Sequence, residues 1–273
     1  MVSGQVWWIT GASSGIGEGL ARGLAAKGAS LILSGRNVAA LEAVAADCGD
    51  ALVLPFEATN YDAIPALAEQ AWAWKGRVDG LVNNAGISQR SLAVDTDFSV
   101  YQQIVAVDLL APIALTQANL PRMVAAGGGQ IVAISSVAGI IGAPLRSAYS
   151  AAKHGIIGYH DSVRCETSYL GVKVLVVAPG SVKTNVSRNA LSADGSVRGV
   201  SDEAIESGMS IEESTSAILT ALAEGKSELV LAQGAEAYLA QLRRSDPDAL
   251  FALLAKNIAD GYAQKMAEDK SGS

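Results

Sequence analysis

The chain has 273 residues, half of them hydrophobic and 17% charged, with a net charge of −7. A chain of this length buries roughly three quarters of the surface it exposes when unfolded, so it needs no disulfide or metal staple. An acidic surface argues against nucleic acid as a partner, because phosphate contacts need a basic face, and against a polybasic membrane contact.

In chain order, short runs rich in Val, Ile and Leu fall at 6–9, 31–33, 51–54, 80–82, 130–134, 172–177 and 228–231. They are too short for helices, and continuous apolar runs fit strands buried on both faces of a parallel sheet. Alanine-rich segments with helical periodicity lie between them, at 17–27, 41–48 and 64–74. This alternation predicts an α/β fold: a single doubly wound Rossmann domain over 1–273, with about seven parallel strands and helices on both faces.

The stretch 188–211 is polar and weakly periodic, which predicts a binding loop or lid on the substrate side. The region 235–273 reads as a C-terminal helical extension, interrupted at Pro247 and frayed at 269–273. The run 6–9 leads straight into the first motif, leaving no room for a secretion signal. No stretch reaches ~18 uninterrupted apolar residues, so no membrane span is expected and the cytoplasm is the default. Cys48 and Cys165 lie far apart and show no metal-ligand spacing.

The first strand runs into Thr10-Gly11-Ala12-Ser13-Ser14-Gly15-Ile16-Gly17, which opens the first helix. Glycines allow a tight turn and close approach to a pyrophosphate, and a helix N-terminus offers free N–H groups and a positive dipole end. The spacing is G-x-x-x-G-x-G rather than G-x-G-x-x-G, so the turn alone is weak evidence. Its place between strand and helix favours dinucleotide binding. After the second strand, Arg36 and Asn37 stand where an acidic residue would bind the ribose of NAD. A guanidinium there suits a 2′-phosphate, and no carboxylate neighbours it in sequence, so NADPH/NADP is the preferred cofactor and NADH a possible one.

Tyr149 and Lys153 are spaced i, i+4, which puts them on one helix face. A nearby ammonium favours phenolate over phenol, which makes a tyrosine a better acid near neutral pH. Alone, Y-x-x-x-K is common.

Together with the glycine motif, with Asn83-Asn84-Ala85-Gly86 after the fourth strand, with Ser136 lying 13 residues before Tyr149, and with Pro179-Gly180 after the sixth, it is distinctive. The set resembles the short-chain dehydrogenase/reductase family over nearly the whole chain. Residues 6–21 and 83–92 look most like its dehydrogenase/reductase member 7 subgroup.

The resemblance implies that Tyr149 is the general acid for carbonyl reduction, or the base for alcohol oxidation. Lys153 would hold the nicotinamide ribose and assist Tyr149. Ser136, rather than its neighbour Ser135, would bond the substrate oxygen. Asn84, Ala85 and Gly86 would line the adenosine ribose, Glu57 and Ala58 would lie near the adenine, and Pro179, Gly180, Val182 and Thr184 would meet the nicotinamide carboxamide. Ser88, Gln89, Ala143 and Leu145 are expected on the substrate side, where small and apolar side chains suggest a medium-sized hydrophobic ketone. The resemblance also implies a homodimer or homotetramer, often built on the helix that carries Tyr149.

Asp108 departs from the family pattern, which usually has an asparagine there to help hold a water in the proton relay. An aspartate retains the backbone carbonyl but adds a negative charge near Lys153. His154 and His160 suggest packing or surface roles, and no metal. The reading is an NADPH-preferring ketone or aldehyde reductase acting on a small-molecule carbonyl or alcohol. Its rivals are an NAD-linked alcohol dehydrogenase and a catalytically weak nucleotide-sensing protein on the same fold.

Overall fold

Residues with even and odd numbers along the first strand are all buried, because helices cover the sheet on both sides. The computed structural model describes residues 2–268. Its strands are β1 (Val6–Thr10), β2 (Ser30–Ser34), β3 (Ala51–Val53), β4 (Gly80–Asn83), β5 (Gly129–Ile134), β6 (Val172–Pro179) and β7 (Glu228–Leu231). All seven pair in parallel, in the order β3-β2-β1-β4-β5-β6-β7. The order reverses at β1 and β4, where a crevice opens beyond the carboxyl ends of the strands.

The helices are α1 (Gly15–Ala25), α2 (Val38–Cys48), α3 (Ile64–Lys75), α4 (Phe98–Val105), α5 (Ala111–Ala125), α6 (Ser147–Thr167), α7 (Glu203–Glu206), α8 (Ile211–Ala223), α9 (Gly234–Ser245), α10 (Pro247–Ala259) and α11 (Tyr262–Glu268). Trp8 and Ile32 point to one face, where Leu67 of α3, Leu115 of α5 and Ile156 of α6 complete the core. Trp7 and Ile9 point to the other, packing with Leu20 of α1, Leu41 of α2 and Ile218 of α8. The strand period of two thus assigns neighbouring tryptophans to opposite layers.

A π turn at Ala106–Leu110 joins α4 to α5, making one continuous helix, Phe98–Ala125, that is long and apolar enough to cross a membrane by length and composition. Its packed face is in the protein core, with Thr116 bonded to Asn83 and Asn119 to Trp72.

One segment differs from its sequence reading and another follows it. The stretch 188–211 is not merely irregular: it contains α7 and buries Ala190, Leu191, Arg198, Asp202 and Ile205. Asp202 pairs with Arg198 within the segment and with Arg90, 112 residues away, and periodicity does not register the distant partner. Pro247 does interrupt the C-terminal extension, but as the first residue of α10, with Asp246 capping Ala249 N–H at 3.0 Å. The expected fraying at 269–273 lies outside the described residues.

Candidate active site

The crevice at the reversal point is built from the ends of β1, β4 and β6. Thr10 Oγ1 accepts the N–H groups of Asn84 (3.0 Å) and Ala85 (3.1 Å) and donates to Val82 O (3.1 Å). Asn84 Nδ2 donates in return to Thr10 O (3.0 Å) and Gly11 O (3.2 Å). Two strand ends are thereby stitched into one rim. Gly17 leaves no room for a side chain, since a Cβ there would lie 2.2 Å from Gly11 O. Gly15 has φ +60°, and a Cβ there would meet Thr184 at 3.1 Å, so the turn and the segment after β6 close on one cradle. Ser14 precedes α1 without a side-chain cap. The first N–H groups of α1 are left for a ligand, flanked by half-buried Ser13 and Ile16. This cradle fits a dinucleotide.

At the end of β2, Arg36 is largely exposed. Sequence adjacency misled here. No carboxylate neighbours Arg36 along the chain, but Glu57 Oε2, from the segment after β3, lies 3.9 Å from its Nη1. Glu57 also accepts from Thr59 N at 3.3 Å, with half-buried Ala58 between them. The Asn37 side chain is occupied as the cap of α2, accepting from Ala40 N at 3.1 Å.

Tyr149 and Lys153 lie in the first half of α6, with the Lys153 ammonium 5.5 Å from the Tyr149 ring centroid. Lys153 Nζ also lies 3.2 Å from Asp108 Oδ2 and donates to Ile134 O at 3.1 Å. Asp108 Oδ1 accepts Ile87 N–H at 2.8 Å. Gly86 permits this approach: a Cβ there would sit 2.8 Å from Asp108 Oδ2 and 3.3 Å from Lys153 Nζ. Burial pulls the Lys153 ammonium down, but the charges of Asp108 and Tyr149 and the hydrogen bond to Asp108 together hold Lys153 above the ordinary lysine value. Burial pushes the Asp108 carboxyl up, against the pull of Lys153 and the Ile87 N–H.

Ser136 and Ser135 have different surroundings. Ser135 is buried and donates to Lys153 O at 2.8 Å, which ties β5 to α6. Ser136 accepts Ala138 N–H at 3.1 Å, donates to Pro179 O at 3.3 Å, and faces a cavity of about 250 Å³. Tyr149, Ser88, Ala143 and Gly180 line the same cavity. Val182 is buried beside it, bridged to Met209.

Two expected substrate residues do not line the cavity. Gln89 is fully buried and serves the fold, donating to Ser91 and Thr96 and accepting Ala148 N–H at 2.9 Å. Leu145 turns the chain, with φ +64° and its carbonyl accepting Ser91 N–H at 3.1 Å. It is the only non-glycine residue with positive φ among those described, and such strain is kept where the surroundings fix it.

Three charged residues on the cavity wall went unread in the sequence: Arg90, Arg146 and Glu236. Glu236 accepts Ser181 N–H at 2.8 Å and the Ser181 hydroxyl at 2.9 Å, pinning the segment after β6. Arg90 and Arg146 both reach Asp202, at 2.6 and 3.5 Å. The pairs span 112 and 56 residues, and no local spacing marks them.

A parallel sheet with a glycine cradle at its reversal point, and a tyrosine and lysine one turn apart beside a serine, defines a class of oxidoreductase. Residues 5–195 match the family described as short chain dehydrogenase, and the chain belongs to it. Among its relatives is the Bos taurus protein named dehydrogenase/reductase SDR family member 7B, 38% identical over 257 residues, or 90% of this chain and 79% of that one. The fold is shared by a short chain dehydrogenase/reductase from Burkholderia phymatum solved in complex with NAD (TM-score 0.81, 22% identity, 91% of this chain and 95% of that one). It is shared also by a short chain dehydrogenase from Burkholderia cenocepacia solved in complex with NADP (TM-score 0.79, 24% identity, 93% and 98%).

Proposed function

We propose that the protein is an NADPH-preferring carbonyl reductase that converts a ketone or aldehyde to the alcohol, reversibly. The observation that carries this reading is that Tyr149 and Ser136 share one cavity wall while Lys153 stands behind the tyrosine ring. When bound, the nicotinamide supplies the hydrogen and electron pair that reach the carbonyl carbon. The Tyr149 hydroxyl gives its proton to the carbonyl oxygen. Ser136 turns its hydroxyl from Pro179 O to that oxygen, stabilising the charge that develops there. The Lys153 ammonium, fixed by Asp108 and Ile134 O, offsets the phenolate left behind.

The turn over 11–17, Asn84 to Gly86 and the segment 179–184 would hold the cofactor. Solved relatives of this fold take NAD in one case and NADP in another. Arg36, exposed at the end of β2, supports the phosphorylated form. Glu57 beside it is the observation that favours NADH, and so keeps an NAD-linked alcohol dehydrogenase as the second reading. Ser136, Tyr149 and Lys153 together weigh against a catalytically weak nucleotide sensor.

The same proposal includes a homodimer or homotetramer in the cytoplasm, without nucleic acid or membrane partners. Phe98 and Leu110, exposed on the long helix that packs against α6, are apolar surface suited to a second copy. Consumption of NADPH and of NADH with a panel of ketones tests the reading. Faster turnover with NADPH is expected, and no turnover with any carbonyl, or a clear preference for NADH, overturns it.

A further inference from the structure

The cavity that holds Tyr149 is apolar along much of its wall, with Val137, Ile141, Leu239 and Leu254 facing it. At one end it meets charge. Arg90, Arg146 and Arg198 gather around the single carboxylate of Asp202. Three guanidinium groups against one carboxylate leave two positive charges in excess, and arginine stays protonated in proteins.

The three arginines are not equally engaged. Arg198 is buried on Asp202 and donates also to Ser187 Oγ (3.4 Å) and Met266 O (3.2 Å). Arg90 donates to Asp202 at 2.6 Å, to Ser88 Oγ at 2.8 Å and to Gln89 O at 2.7 Å. Arg146 makes one long contact, 3.5 Å to Asp202, and keeps 24% of its side chain exposed. Its remaining donors are available to the cavity that it lines with Arg90. The other charged lining residue, Glu236, is bonded to Ser181 and pairs with neither arginine among the described residues. Burial and the neighbouring Arg146 charge push Arg90 down to about 10.

Unmatched positive charge at the end of an apolar cavity is costly unless an anion meets it. We infer that the substrate carries an oxyanion group, a carboxylate or a phosphate, which Arg146 binds with Arg90 behind it while the apolar wall holds the carbon body. This inference rests on the carbonyl-reductase reading, and it replaces a purely hydrophobic ketone with an amphipathic one. The planar guanidinium fork matches either oxyanion.

The test is calorimetric titration of the full chain, with NADP present, by benzoate, phenyl phosphate and benzamide, which share one ring. At least one anion is expected to bind about tenfold more tightly than benzamide, the size of one charge-assisted contact. The tighter of the two anions identifies the headgroup. In Arg146→Gln the gap should close to less than about threefold, and in Arg146→Lys, which keeps the charge but loses the planar fork, it should return only in part. Benzamide binding as well as both anions, or an Arg146→Gln protein that keeps the gap, overturns the inference. A wild-type protein that shows the anion gap but reduces no carbonyl overturns the reductase reading instead. One that reduces ketones without any anion preference overturns this inference alone.

Discussion

Asp108 Oδ2 and Lys153 Nζ face each other at 3.2 Å, both almost wholly removed from solvent. The carboxylate comes from the π turn between α4 and α5 and the ammonium from α6. A π turn inserts an extra residue into a helix and is often found at functional sites. Here it carries an aspartate, so the lysine behind Tyr149 has an ionisable partner.

Asp108→Asn removes that partner while keeping the shape and the backbone. Burial is then opposed only by the Tyr149 charge, and the Lys153 ammonium releases its proton at lower pH. The limb of the kcat/KM profile that depends on the lysine charge should move toward acid by a measurable fraction of a unit, one unit corresponding to about 1.4 kcal/mol. Neutral-pH kcat should stay within about tenfold of wild type. Superimposable profiles would show that the Asp108 charge does not govern Lys153.

Arg36→Asp places a second carboxylate beside Glu57 at the end of β2. NADPH affinity should fall about tenfold or more through like-charge repulsion, while NADH affinity holds. Titration of nicotinamide fluorescence with both cofactors measures this. Equal losses for the two would mean that Arg36 does not meet the 2′-phosphate.

Glu236→Ala leaves the Ser181 N–H and hydroxyl without their acceptor. An unsatisfied donor costs about 1–3 kcal/mol when fully buried; Ser181 is half-buried, so the low end applies, and the cost falls on the segment that would hold the carboxamide. Cofactor dissociation constants should rise about tenfold for NADPH and NADH alike. An unchanged constant would mean that β6 and the backbone bonds to Met209 hold the segment without Glu236.

Asp202→Asn leaves three guanidinium groups around a neutral amide, a change of the kind that costs about 3–5 kcal/mol in a buried pair. Burial pushes the Asp202 carboxyl up, but Arg90, with Ser187 and Arg198, pulls it further, down to about 2 from 3.8. A depressed carboxylate stabilises the fold above its unfolded pKa and loses that contribution as pH falls through the folded value. The stability gap between wild type and variant should therefore be full at pH 7 and shrink between about pH 4 and 2. Buried His160, pushed down to about 4, destabilises both proteins equally at low pH, so the comparison isolates Asp202. Equal stability at neutral pH would contradict the cluster's role.

The sheet was legible because buried parallel strands read as short apolar runs, and each of the seven has its strand in the structure. Spacing put Tyr149 and Lys153 on one helix face and family resemblance pointed to Ser136; in the structure Ser136 and Tyr149 line one cavity with Lys153 behind the ring. Arg90, Arg146 and Asp202 were not, since their contacts join the segments after β4, before α6 and at α7, which no periodicity links. Glu57 beside Arg36 was hidden for the same reason: neighbouring strand ends bring together residues 21 apart. Gln89 misled because a polar residue next to a motif looks functional, while its amide is consumed in bracing the start of α6.

The central claim is that Tyr149 protonates the substrate oxygen. Its most direct test is Tyr149→Phe, which deletes the hydroxyl and keeps the ring, followed by NADPH consumption with a ketone that the wild type reduces, alongside the NADPH dissociation constant. The account predicts cofactor binding within a few-fold of wild type and a loss of at least about 10² in kcat, the low end for general acid catalysis. Turnover retained by a folded, pure Tyr149→Phe protein would contradict it.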